Sequence, residues 1–168
     1  SDVDHSTVVV TDSPVTADGV DTATVTVTLK DAHGNQRLAG GETVTIDSLG
    51  AGYTVSSVTD NADGTYTATI SGTVASAGLT VSAKLAGVAI TDTDTVVFVP
   101  GASDVDHSTV VVTDSPATAD GVDTATVTVT LKDAHDNQRL AGGETVTIDS
   151  LGTGYSVSSV TDHLDGTY

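Results

Sequence analysis

Carboxylates are the side chains best placed to do chemistry in this sequence. There are 23 Asp and Glu against 5 Lys and Arg, for a net charge of −18. Hard divalent cations suit such a set, because Ca²⁺ takes about six to eight oxygen ligands from carboxylates and carbonyls. Asp18, Asp21, Asp104, Asp106, Asp162 and Asp165 are the expected ligands, with Asp133 and Asp136 expected near them through the fold. Their spacing is not that of an EF-hand loop. Asp92-Thr93-Asp94 is a second acidic pair, read as part of an exposed strand or a bulge.

Other chemistries find less to work with. The histidines are His5, His33, His107, His135 and His163, and no GxSxG nucleophile elbow accompanies them. They read as surface residues, and the chain is expected not to be an enzyme. No Cys is present, which excludes disulfides and zinc–thiolate sites. Lys30 and Lys84 could supply an isopeptide crosslink only beside a buried acid, and Lys30 stands at a strand end. The aromatics are Tyr53, Tyr66, Phe98, Tyr155 and Tyr168. Tyr66 and Phe98 are expected in the core, which leaves little for an aromatic sugar-binding platform. Nucleic acid is excluded as a partner, since phosphate neutralisation needs clustered Lys and Arg. Direct membrane insertion is excluded too, because no apolar run nears the roughly 18 residues of a spanning helix.

The elements that must position these groups are strands. From Thr22 the sequence reads TATVTVTLK, with Ala23, Val25, Val27 and Leu29 on one face and threonines on the other. That period of 2 marks a half-buried strand. Seven strands are predicted in the first hundred residues: A over 7–11, B over 22–30, C over 43–47, D over 53–59, E over 65–71, F over 79–85 and G over 88–99. Ala17-Asp18-Gly19, Gly40-Gly41 and Asp63-Gly64 provide turns, and Ala86-Gly87 a tight F–G hairpin. Seven short strands so punctuated predict an all-β, immunoglobulin-like antiparallel Greek-key sandwich.

The pattern then repeats. Residues 1–66 reappear as 103–168 with six differences: Val15/Ala117, Gly34/Asp136, Ala51/Thr153, Thr54/Ser156, Asn61/His163 and Ala62/Leu164. A period of 102 residues is too long for a solenoid and matches a whole sandwich domain. The organisation is therefore a complete module over 1–102 and a partial second module over 103–168, lacking most of strand E and all of F and G. That second copy is expected to expose core and unpaired edges. Pro100-Gly101-Ala102 joins the two. Sandwich topology is expected to gather Asp18 and Asp21 of the first module with Asp104 and Asp106 at this joint, with Asp133, Asp136, Asp162 and Asp165 below them.

The string PVTADGVDTATVTVTLKDAHGNQRLAGGETVTI, followed by SVTDNADGTYTATISGTVASAGLTVSAKLAG, resembles the bacterial immunoglobulin-like domain of the invasin and intimin type. Gln36-Arg37 departs from that pattern, which often has a proline before the next strand. The resemblance implies a repeated sandwich in large proteins that are secreted or anchored to the outer membrane. It implies a structural spacer on the bacterial cell surface, carrying a binding tip for adhesion or biofilm formation. Its partners would be neighbouring immunoglobulin-like repeats and a host or bacterial surface receptor. The alternative is a ligand-binding module that itself contacts a protein or glycan receptor; a third reading is an accessory module of a secreted enzyme.

Overall fold

A computed structural model describes all residues from Ser1 to Tyr168 and contains strands, turns and bends but no helix. It divides into two units, Ser1–Val99 and Pro100–Tyr168. The dividing line places the Pro100-Gly101-Ala102 segment with the second unit.

The first unit is built on β3 (Ala23–Lys30), whose residues alternate buried and half-buried along their whole length. Ala23, Val25, Val27 and Leu29 are fully buried, and the threonines between them face outward. β1 (Asp2–Thr11) pairs with one side of β3 and β7 (Thr65–Gly72) with the other, both antiparallel. β5 (Tyr53–Val55) and β6 (Thr59–Asp60) then pair with β7. The second layer has two three-stranded parts. One orders β10 (Val88–Ala89), β9 (Ala83–Leu85) and β4 (Val44–Ile46). The other orders β2 (Val15–Thr16), β11 (Asp94–Val99) and β8 (Ser76–Val81). Val8, Val15, Ile70, Val81, Val96 and Phe98 close the core with the β3 residues. Tyr66 and Phe98 are buried, as expected, and Phe98 lies 5.1 Å from the ring of Tyr53.

The seven expected strands survive with corrections at their breaks. Strand A begins at Asp2, with a register shift between Asp2 and Thr7. A short strand unforeseen in the sequence, β2, pairs parallel with β11. Expected strand D is two strands, because Ser56 Oγ accepts the Thr69 N–H and interrupts the ladder. Expected strand F breaks at Ser82, whose hydroxyl turns to Asp47. The F–G hairpin stands as read: Ala86 and Gly87 have φ of 47° and 84°, and Val88 pairs with Leu85.

The largest correction concerns expected strand G, which is not continuous from Val88 to Val99. It breaks at residues 90–93, where Ile90 dives into the core and Thr91 N–H donates to the Val3 carbonyl. Asp92 Oδ2 then accepts the Val8 N–H at 3.0 Å, and Asp94 Oδ2 accepts the Val10 N–H at 2.8 Å. These carboxylates cap the outer edge of β1, whose other edge is held by β3. Open edges invite pairing with other chains, and charged groups blunt them. Replacing both Asp92 and Asp94 with Ala strips two N–H groups of their acceptors. At these partly exposed positions the expected loss is about 1 kcal/mol per group, read as a lower urea midpoint for the first module.

In the second unit β12 (Asp104–Thr113) pairs with β13 (Thr126–Lys132) in the register of β1 and β3. Val110 is 66% exposed, whereas its equivalent Val8 is 3% exposed. In the first unit Val8 belongs to the core cluster that also holds Val81, Val96 and Phe98.

Candidate functional site

The six carboxylates expected to bind calcium are mostly turn-builders. Asp18 Oδ1 accepts the Val20 and Asp21 N–H groups, both at 2.8 Å. Asp21 accepts from Thr16 and Thr22. Asp104 Oδ1 accepts the Asp106 and His107 N–H groups. Asp162 accepts from Gly143 and Leu164, and Asp165 from the backbone and hydroxyl of Thr167. Asp or Ser side chains that bond to backbone two or three residues on make such turns without any ligand. Within each unit, no three His, Asp or Glu side chains converge as a metal ion would require.

The most elaborate polar site is the loop that follows β3, with its copy after β13. Its sequence is DAHGNQR over 31–37 and DAHDNQR over 133–139. Asp31 Oδ1 accepts the N–H groups of His33 and Asn35, both at 2.9 Å, and the Asn35 side-chain amide reaches both carboxylate oxygens. Stabilised first by that amide and then by the backbone N–H groups, the Asp31 carboxyl is lowered to a pKa of about 2. Asp133 repeats every one of these bonds.

The second copy shows what the loop can hold. Asp133 Oδ2 accepts the Gly101 N–H at 2.8 Å. Arg139 Nη1 donates to the Gly101 carbonyl and, at 3.4 Å, to that of Pro100. Arg139 Nε is buried without a hydrogen bond and faces Glu144 at 3.4 Å. Asp133 is 2% exposed. Burial acts to raise its pKa, but bonds from Asn137, Gly101 and His135 outweigh that and hold the carboxyl below its ordinary value. A carboxylate and a guanidinium thus grip one stretch of backbone, donor to acceptor on both sides.

One difference between the copies adds a titratable pair. In the first unit His5 Nδ1 sits 2.9 Å from Asp2. In the second, Asp136 stands where the first has Gly34, and His107 Nδ1 lies 3.1 Å from it. The hydrogen bond to Asp136 is the main cause that raises the His107 pKa above its ordinary 6.5, with the charges of Asp136, Asp104 and Asp106 adding to it. A raised imidazole stabilises the fold below its unfolded pKa, and that contribution is lost as pH rises through the folded value. Asp136→Gly is therefore expected to lower the His107 titration midpoint in an NMR pH series; an unmoved midpoint would refute the pairing.

Lys84 Nζ meets Asp47 at 2.5 Å as a partly exposed ion pair, joined by the Ser82 hydroxyl. A shallow concavity on the outer face of the first sheet is lined by Thr24, Ser56, Ser57, Thr59, Thr67, Ala68 and Thr69, and no aromatic ring faces it. Neither arrangement pairs a nucleophile with a base.

The family model described as "Invasin, domain 3" matches residues 2–101 and again 104–168. The chain belongs to this invasin domain family. Among solved structures it is similar to InvD of Yersinia pseudotuberculosis, at 32% identity and a TM-score of 0.69, over 98% of this chain and 47% of that one. It is similar to invasin, described as a bacterial integrin-binding protein, at 28% identity and a TM-score of 0.66, over 82% of this chain and 28% of that one. The Escherichia coli adhesin FdeC matches at 28% identity and a TM-score of 0.63, over 99% of this chain and 54% of that one. This chain thus spans about a quarter to half the length of these adhesins. No curated protein matches it. The immunoglobulin-like sandwich is that of the invasin type, and such adhesin modules are non-enzymatic structural or binding domains. No helix is long and apolar enough to cross a membrane.

Proposed function

We propose that these invasin-type modules are spacer repeats of a bacterial surface adhesin, holding a binding tip away from the cell for adhesion or biofilm formation. The observation that carries this reading is the near-identity of the two copies, which share 60 of 66 aligned residues. A receptor-binding surface gains from one distinctive face, whereas a spacer gains from copying a unit that folds by itself. The extended threonine faces and the solubilising charge of −18 fit a module that contacts water along its length. The setting is extracellular, and the partners in the chain are further modules of the same kind.

The test is surface display beneath a tip domain of known receptor. Adding or removing modules should change the reach of adhesion and leave its specificity to the tip. Saturable binding of the purified chain itself to host cells or to a glycan array would instead favour the receptor-binding alternative.

Calcium enters this proposal through the acidic positions Asp18, Asp21, Asp104, Asp106, Asp162 and Asp165. A calcium-dependent spacer melts higher in millimolar Ca²⁺ than in chelator. At a hundredfold excess over Kd the gain is about 2.7 kcal/mol. An unchanged melting temperature removes calcium from the account.

A further inference from the structure

We propose that the loop carrying Asp31 and Arg37 is a docking site for an extended Pro-Gly backbone segment, the exit sequence of another copy of the module. The reasoning starts from the second copy, where the residues that precede the module are fastened by that module's own loop. Asp133 takes the Gly101 N–H, and Arg139 takes the Gly101 and Pro100 carbonyls. Donor and acceptor on the protein match acceptor and donor on the peptide. Proline suits its place there, because the bond it makes uses only its carbonyl, and Pro has no N–H to leave unpaired.

The first module carries the same device. Its loop differs from the second only at Gly34, and the sites of the two gripping residues are identical in type and spacing. Asp31 is fixed by the same three N–H donors as Asp133, so its carboxylate is set in the same orientation before any peptide arrives. The arginine is braced in the same way: Arg37 N–H donates to the Leu29 carbonyl and its Nε faces Glu42 at 3.7 Å. The Arg37 side chain is 47% exposed against 26% for Arg139, and Asp31 is half-buried where Asp133 is buried. Even the flank matches, since Ser1 Oγ bonds to Glu42 as Ser103 Oγ bonds to Glu144. Departure from the family's proline pattern at Gln36-Arg37 puts the arginine where it is needed. This inference rests on the repetition of the module and is independent of what the adhesin binds.

The test lengthens the full chain by Val-Pro-Gly-Ala ahead of Ser1, the sequence found at 99–102, and follows amide hydrogen exchange by NMR. The added glycine is expected to exchange at least about tenfold more slowly than its unstructured rate, as expected for an amide held by a charged acceptor. Gly101 in the same molecule should be protected likewise. Arg37→Ala with Asp31→Asn should return the added glycine toward its unstructured rate and leave the Val25 and Val27 amides protected, which shows that the module remains folded. Exchange of the added glycine at the unstructured rate overturns the proposal. Protection that persists unchanged in the double variant overturns it as well, and neither outcome bears on the spacer reading.

Discussion

Phe98→Ala is expected to destabilise the first module by about 3–5 kcal/mol. Phe98 is 1% exposed, and its ring lies tilted at 48° against Tyr53 from the opposite layer. Its removal leaves a cavity that neighbours cannot fill cheaply. Val15, Val81 and Val96 are β-branched residues with restricted rotamers. Gly72, which also lies against this ring, has no side chain to offer. For a domain of this size each kcal/mol moves the melting temperature by about 4–8 °C. The first transition should therefore drop by about 12 °C or more in calorimetry. A shift of only a few degrees would mean that the layers close over the gap.

Gly64→Ala should rank second, at about 2–4 kcal/mol, from two causes acting together. Gly64 sits at a φ of 85°, where an L side chain is strained. A Cβ there would also run into the Arg37 carbonyl. The Gly64 carbonyl cannot move away freely, because it accepts the Leu29 N–H at 2.9 Å. Gly34→Ala separates the two causes: its φ of 78° is similar, but no atom lies near the added carbon. Its cost should be about 1 kcal/mol. Equal urea midpoints for the two variants would show that the loop around Arg37 yields to the extra atom.

The sandwich was legible because burial on one face imposes a period of 2, and Ala23 to Leu29 display it without interruption. The turns were legible where positive φ demands particular residues, as at Ala86-Gly87. The breaks were harder to see. Nothing in LTVSAKL marks Ser82 as a stop, since the cause is a hydroxyl bond to Asp47, 35 residues away in sequence. Asp92 and Asp94 were visible as a pair but not as caps. Their signal is spacing: two residues apart, with Asp92 in the break and Asp94 opening β11, they match the alternate N–H groups of Val8 and Val10 on a neighbouring edge. The Asp31 and Arg37 loop was seen only as a departure from a family pattern. Its meaning depends on contacts with Pro100 and Gly101, which the second copy supplies and no local pattern encodes.

The short strand β2 also has a mechanical consequence. β2 and β11 run parallel, with Val15 opposite Phe98 and Val99 opposite Thr16, and the Ala17 N–H continues the contact to the Val99 carbonyl at 2.8 Å. In the first module the chain enters through β1, passes on to β2 and leaves through β11. Tension that reaches β2 from its N-terminal side and β11 from its C-terminal side slides these parallel strands along each other, and their hydrogen bonds share the load. An antiparallel hairpin pulled from its open end gives way one bond at a time. Resistance to pulling is set by the rate of unfolding rather than by equilibrium stability. A module with this pairing can be only modestly stable in a beaker and still withstand shear flow.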